Sequence, residues 1–135
     1  MADRTRVAVT GAFGYSGRYI ARRLLDAGHE VITLTNSPGR SNPFEGRVRA
    51  FPFDFDRPDR LAETLRGVDA LVNTYWVRFD HRLFTHQQAV ANTRAMFHAA
   101  REAGVRRIVH VSITNPDADS DLPYFRGKAE LEADL

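Results

Sequence analysis

The sequence contains no cysteine, which excludes disulfides and thiolate metal sites. Lys128 is its only lysine among 19 basic residues, and 17 acidic residues are interspersed with them. No basic block stands out, so the electrostatic footprint of a nucleic-acid or membrane-surface binder is missing. No apolar run approaches the roughly 18 residues of a membrane span. The opening MADRTRVAVTGAFG also lacks the apolar core of a signal peptide. These absences predict a cytoplasmic protein. The five histidines show no metal spacing, because His81 and His86 stand five apart and not at the i, i+4 of a helical zinc pair.

What is present is an ordinary globular composition, 43% hydrophobic and 27% charged, in 135 residues. That length makes one domain, residues 1–135, able to bury its own core. RVAVTG reads as a buried strand, and YSGRYIARRLLDAGH as a helix closed by Gly28. EVITLT is a second strand, followed by the loop NSPGRSNPFEG. RVRAFPFDF is a third strand in which Pro52 signals an edge or an early end. A short helix then starts at Asp56 and Pro58 and stops at Gly67. DALVNTY is a fourth strand, a long helix runs from about Leu83 to Ala103, and RRIVHVSIT is a fifth strand. The last helix opens near Pro123. Strands alternating with helices imply parallel pairing through right-handed crossovers, hence a doubly wound α/β sheet of about five strands.

The first strand runs into Gly11, Gly14 and Gly17 and then a helix. Such a turn lets the backbone approach a pyrophosphate, which the free N–H groups and positive dipole end of the helix then bind. Gly17 lets the helix sit close to the strand; the bland alternative is a tight turn with a packing glycine. An acidic residue after the second strand would favour NAD. Thr35, Asn36 and Ser37 stand there instead, with Arg40 beyond, and a guanidinium suits a 2′-phosphate. NADP is therefore mildly preferred over NAD, unless Arg40 is simply a solvated loop residue. On a helix, Tyr124 and Lys128 share one face. An ammonium beside a phenol stabilises the phenolate and lowers a pKa that starts near 10. The face is equally readable as packing surface, since Tyr124, Lys128, Leu131 and Leu135 form one stripe.

TGAFGYSGRYI and the later YFRGK resemble the short-chain dehydrogenase/reductase superfamily, in its extended and atypical branches. The likeness covers essentially the whole chain and implies a Rossmann fold. By that resemblance Phe13, Gly14 and Tyr15 lie beside the pyrophosphate and nicotinamide, Asp54 accepts from the adenine amino group, and Phe55 adds a contact. The alternative for Asp54 or Asp56 is to cap the next helix. Thr74 is tolerable where relatives keep small residues near the cofactor ribose, but Tyr75 and Trp76 depart from that pattern. They would crowd the site, turn away from it, or stack on substrate. Ser112, with Thr114 as fallback, would polarise a substrate carbonyl, Tyr124 would move the proton, and Lys128 would tune Tyr124 and hold the nicotinamide ribose. Gly127 would allow close approach to the last helix. Asn92 matches a proton-relay asparagine, or is simply a polar residue on a helix.

Family members carry a substrate-binding portion after the Tyr-Lys helix, and this sequence stops within it. It is read as an N-terminal piece or a naturally reduced module, with an exposed sheet edge or helix face favouring a homo-oligomer or a larger complex. Two functions of different class follow. One is an NAD(P)-dependent oxidoreductase or epimerase-like enzyme of unknown small-molecule substrate. The other is a non-catalytic NAD(P)-binding subunit or redox sensor, since the C-terminal stretch is similar to an accessory subunit of respiratory complex I and to regulatory NmrA-like proteins.

Overall fold

The structure, a computed structural model, describes residues 4–36, 39, 42–75, 86–111, 118–119 and 123–135, with the backbone alone at 86 and 123–125. The strands are β1 (Arg6–Thr10), β2 (Glu30–Thr35), β3 (Val48–Pro52), β4 (Ala70–Asn73) and β5 (Arg107–His110). The helices are α1 (Tyr15–Asp26), α2 (Pro58–Leu65), α3 (His86–Ala103) and α4 (Pro123–Asp134). All strand pairs are parallel, in the order β3-β2-β1-β4-β5. This is the doubly wound sheet expected of alternating strands and helices.

Side chains of a strand alternate between faces, and the core divides accordingly. Val7 and Val9 of β1 join Val31, Ala21 and Phe13 on the α1 side. Ala8 joins Ile32, Leu34, Leu61, Leu71 and Met96 on the side of α2 and α3. With both faces covered, the central strands need continuous apolar runs rather than alternating ones. The loop after β2 contributes Phe44, 1% exposed, which packs on Phe13 at 6.3 Å between ring centroids. Loop composition concealed that anchor. Asn42 shapes it, donating from Nδ2 to the Val48 carbonyl and accepting the Phe44 N–H, both at 2.9 Å.

β3 stops at Pro52 and lies at the sheet edge, as the proline foreshadowed. The capping role considered for Asp54 or Asp56 is not realised. Arg57 is the N-cap of α2, with no side-chain cap bond. At the opposite side α4 packs on α3 through Leu131, Val90 and Phe97. Arg94 clasps Glu130 and Asp134 of α4. Of the Tyr124–Leu135 stripe, Lys128 and Leu131 are buried and Leu135 is exposed. Among the described residues β5 has no partner on its outer side, and Val109 and Val111 are exposed.

Candidate dinucleotide site

Strand order reverses about β1, so the loops leaving β1 and β4 diverge and open a crevice at the C-terminal edge of the sheet. Gly11 turns the chain with φ +63°, a region that favours glycine. Its N–H donates to the Leu34 carbonyl, and the Gly14 N–H donates back to the Gly11 carbonyl, both at 2.9 Å. A Cβ on Gly17 would stand 2.1 Å from the Gly11 carbonyl oxygen, so only glycine lets α1 pass this close to the turn. Thr33 braces it from below, accepting the Ala12 N–H at 3.0 Å and donating to the Val9 carbonyl at 2.6 Å.

Two adjoining clefts follow. The first, about 370 Å³, is lined by Gly11, Gly14, Tyr15, Asn36, Thr74 and Tyr75, among others. The second, about 510 Å³, is lined by Asn36, Asp54, Phe55, Gln88 and Asn92, among others. Asn36, Thr35 and Phe53 belong to both. The structure thus brings to these clefts seven of the ten residues expected to contact a cofactor: Gly11, Gly14, Tyr15, Asn36, Asp54, Phe55 and Thr74. Phe13 points its ring into the core, 7% exposed, and offers the turn only its backbone. Asp54 holds a left-handed φ of +51°. Ser37, Arg40, Trp76, Ser112 and Thr114 lie outside the described residues, as does the Tyr124 side chain.

Beneath the clefts runs a polar thread that sequence reading missed. The Thr10 hydroxyl donates to Asn73 Oδ1 at 3.0 Å, and Thr10 Oγ1 accepts the N–H groups of Thr74 (2.7 Å) and Tyr75 (3.0 Å). The Thr74 hydroxyl donates to the Thr10 carbonyl at 2.6 Å. Asn73 Oδ1 takes further donation from the Tyr75 N–H, so its Nδ2 is left to donate to His110 Nδ1, at 3.0 Å. This thread sets where the chain leaves β4. Isolated Thr and Asn residues at strand ends carry no sequence pattern that would have revealed it.

Tyr75, expected to crowd the site or leave it, does part of each. Its ring packs on Phe53 and Phe55 at 5.1 Å while still lining the first cleft. Its hydroxyl accepts from Asn92 Nδ2 at 3.1 Å, which engages the asparagine considered for a relay.

Lys128 is 3% exposed and donates from Nζ to the Val111 carbonyl at 2.9 Å, next to Ser112 in the chain. Burial lowers its pKa to about 8, against a smaller opposing pull from Glu132. His110, edge-on to Phe97, has a buried Nε2 with no hydrogen-bond partner among the described residues. Burial first, and then the Lys128 charge, lowers its pKa to about 4.

A parallel sheet with a glycine turn at its switch point defines a Rossmann-type nucleotide-binding protein. The sequence matches the NAD dependent epimerase/dehydratase family over residues 7–116, and the chain belongs to that family. It is 27% identical to NADH dehydrogenase (ubiquinone) 1 alpha subcomplex subunit 9, mitochondrial, of Mus musculus, over 94% of this chain and 36% of that protein. It is 26% identical to a 3-beta-hydroxysteroid dehydrogenase of Mycolicibacterium neoaurum, over 90% of this chain and 38% of that protein. The solved structure of UDP-N-acetylglucosamine 4-epimerase from Bacillus cereus shares the fold with a TM-score of 0.75 at 23% identity, covering 96% of this chain and 47% of that one. The chain therefore spans less than half the length of these relatives.

Proposed function

We propose that the chain holds NADP(H), with NAD(H) as the weaker ligand, along the C-terminal edge of its sheet, as the cofactor-binding part of an oxidoreductase or epimerase. The observation that carries this reading is the glycine turn. Gly17 tolerates no Cβ, and Gly14 stands at the N-cap of α1 with no side chain to block a phosphate. The adenosine would lie toward Asp54 and Phe55, and the pyrophosphate over Gly11, Gly14 and the Phe13 backbone. Tyr15 would face the nicotinamide, with Thr74 below the adjoining ribose. Asn36, Ser37 and Arg40 would meet the 2′-phosphate, since no carboxylate stands there to repel it.

The nicotinamide supplies the hydride chemistry when bound. Around it Ser112 would polarise the substrate carbonyl, and Tyr124 would give or take the proton. Lys128 would stabilise the Tyr124 phenolate. The bond from Lys128 to the carbonyl of Val111, the residue before Ser112 in the chain, supports this division of labour, because it docks α4 against the end of β5.

A second reading, a non-catalytic NAD(P)(H)-binding subunit or sensor, is favoured by the bulk of Tyr75 at the cleft. The mouse relative, by name a subunit of a larger assembly, supports a place in a complex.

Calorimetric titration of NADPH and NADH against the wild type and Arg40→Ala tests the binding. The expected result is tighter NADPH binding in the wild type and a loss of about tenfold for NADPH alone in the variant. Binding of neither dinucleotide would sink both readings. A carbonyl-substrate screen with Tyr124→Phe then separates them: activity abolished by the change supports the enzyme, and absence of turnover with binding intact supports the subunit.

A further inference from the structure

Tyr75 lies at the boundary of the two clefts, lining the first while its partner Asn92 lines the second. Its position is over-determined. The backbone N–H is clamped by Thr10 Oγ1 and Asn73 Oδ1, each at 3.0 Å, and the ring rests on Phe53 and Phe55. Its hydroxyl is also held, by the side-chain amide of Asn92. Gln88 Nε2 donates to Asn92 Oδ1 at 3.0 Å, which turns Asn92 Nδ2 toward the phenol oxygen. An amide N–H can only donate, so Tyr75 Oη is the acceptor and its own hydrogen must point elsewhere. Among the described residues no acceptor receives it. Burial also raises the phenol pKa, so the hydrogen is retained at neutral pH.

A half-buried hydroxyl aimed by two neighbours, with its hydrogen unspent at a cleft boundary, is a donor awaiting a ligand acceptor. We propose that the Tyr75 hydroxyl donates a hydrogen bond to the adenosine half of the bound dinucleotide, with Asn92 as the residue that aims it. This rests on the dinucleotide reading above. The adenosine half is chosen because Asn92 shares its cleft with Asp54 and Phe55. The ligand atom is a neutral acceptor, a purine ring nitrogen or a ribose oxygen. Tyr75 thereby acts as a binding residue in a place where its size read as an obstruction.

The test is calorimetry with AMP, nicotinamide mononucleotide and NADPH on three proteins: wild type, Tyr75→Phe and Asn92→Asp. Tyr75→Phe keeps the ring and its packing but removes the donor. AMP and NADPH should bind roughly three- to tenfold more weakly, the worth of one hydrogen bond, with the mononucleotide unchanged. Asn92→Asp leaves the tyrosine in place, but a carboxylate only accepts and draws the phenol hydrogen to itself. The affinity ratio of AMP to nicotinamide mononucleotide should fall there too. Each probe carries one phosphomonoester, so repulsion by the new carboxylate largely cancels in that ratio. A purely structural role for Tyr75 would leave the ratio unmoved in both variants, and that result overturns the inference. A selective loss of the mononucleotide overturns it as well. Should Tyr75→Phe fail to fold, Asn92→Asp decides alone. A wild type that binds none of the three probes removes the dinucleotide reading itself, and this inference with it.

Discussion

Among the described residues His110 and Lys128 are the two whose chemistry burial alters most, and they adjoin one another behind the end of β5. For His110 the folded pKa, about 4, lies below its ordinary 6.5. As pH falls, the unfolded chain takes up that proton first, so stability drains away between about pH 6.5 and pH 4. Urea unfolding should therefore show the wild type losing more stability over that interval than His110→Gln. For Lys128 the folded pKa, about 8, lies below its ordinary 10.5. The unfolded chain holds the proton longer as pH rises, so stability climbs between about pH 8 and pH 10.5. Lys128→Met should lack that climb in the same measurement. The sequence marked Lys128 by its rarity and its spacing from Tyr124, but its burial and its bond to the Val111 carbonyl come from the docking of α4. Nothing in the sequence marked His110, because a histidine in an apolar strand reads alike whether its nitrogens are satisfied or not.

At the scale of the element, the glycine turn was legible because its constraint is local. The positive φ that ends the strand at Gly11 and the close helix approach at Gly17 each demand glycine, and the spacing displays both. Gly17→Ala would press its Cβ onto the Gly11 backbone at 2.1 Å and Ala12 Cα at 3.0 Å, where no flexible side chain can yield. The expected cost is about 1–3 kcal/mol of stability by denaturant unfolding, together with weakened NADPH binding by calorimetry. The loop after β2 was legible only as a loop. That its Phe44 enters the core depends on Phe13 lying in wait, a contact that links distant stretches of chain. Likewise the brace of the turn comes from Thr33 on β2, 21 residues away from the Ala12 N–H it accepts.

At the scale of the whole molecule, the site proposed for the dinucleotide spans the ends of β1, β2, β3 and β4, so ligand and fold would be thermodynamically linked. A ligand that binds only the folded chain stabilises it by mass action. With free NADPH at a hundred times its dissociation constant, unfolding should become harder by about 2.7 kcal/mol. Equilibrium urea unfolding with and without NADPH reads that difference directly, and equal curves would mean that the folded chain has no preferential affinity for it.

The sequence by itself determined the order of strands and helices, the parallel sheet, the glycine turn and the place of Asp54, Phe55 and Thr74 near one edge. These follow from local periodicity and from rules of chain connection that act between neighbouring elements. Tertiary structure alone decided that Tyr75 folds onto Phe53 and Phe55 with Asn92 aiming its hydroxyl, and that Thr10, Asn73 and His110 form one thread beneath the clefts. The physical reason is reach. A hydrogen bond between residues 17, 37 or 63 positions apart depends on how the sheet and helices pack, and sequence spacing carries no trace of it.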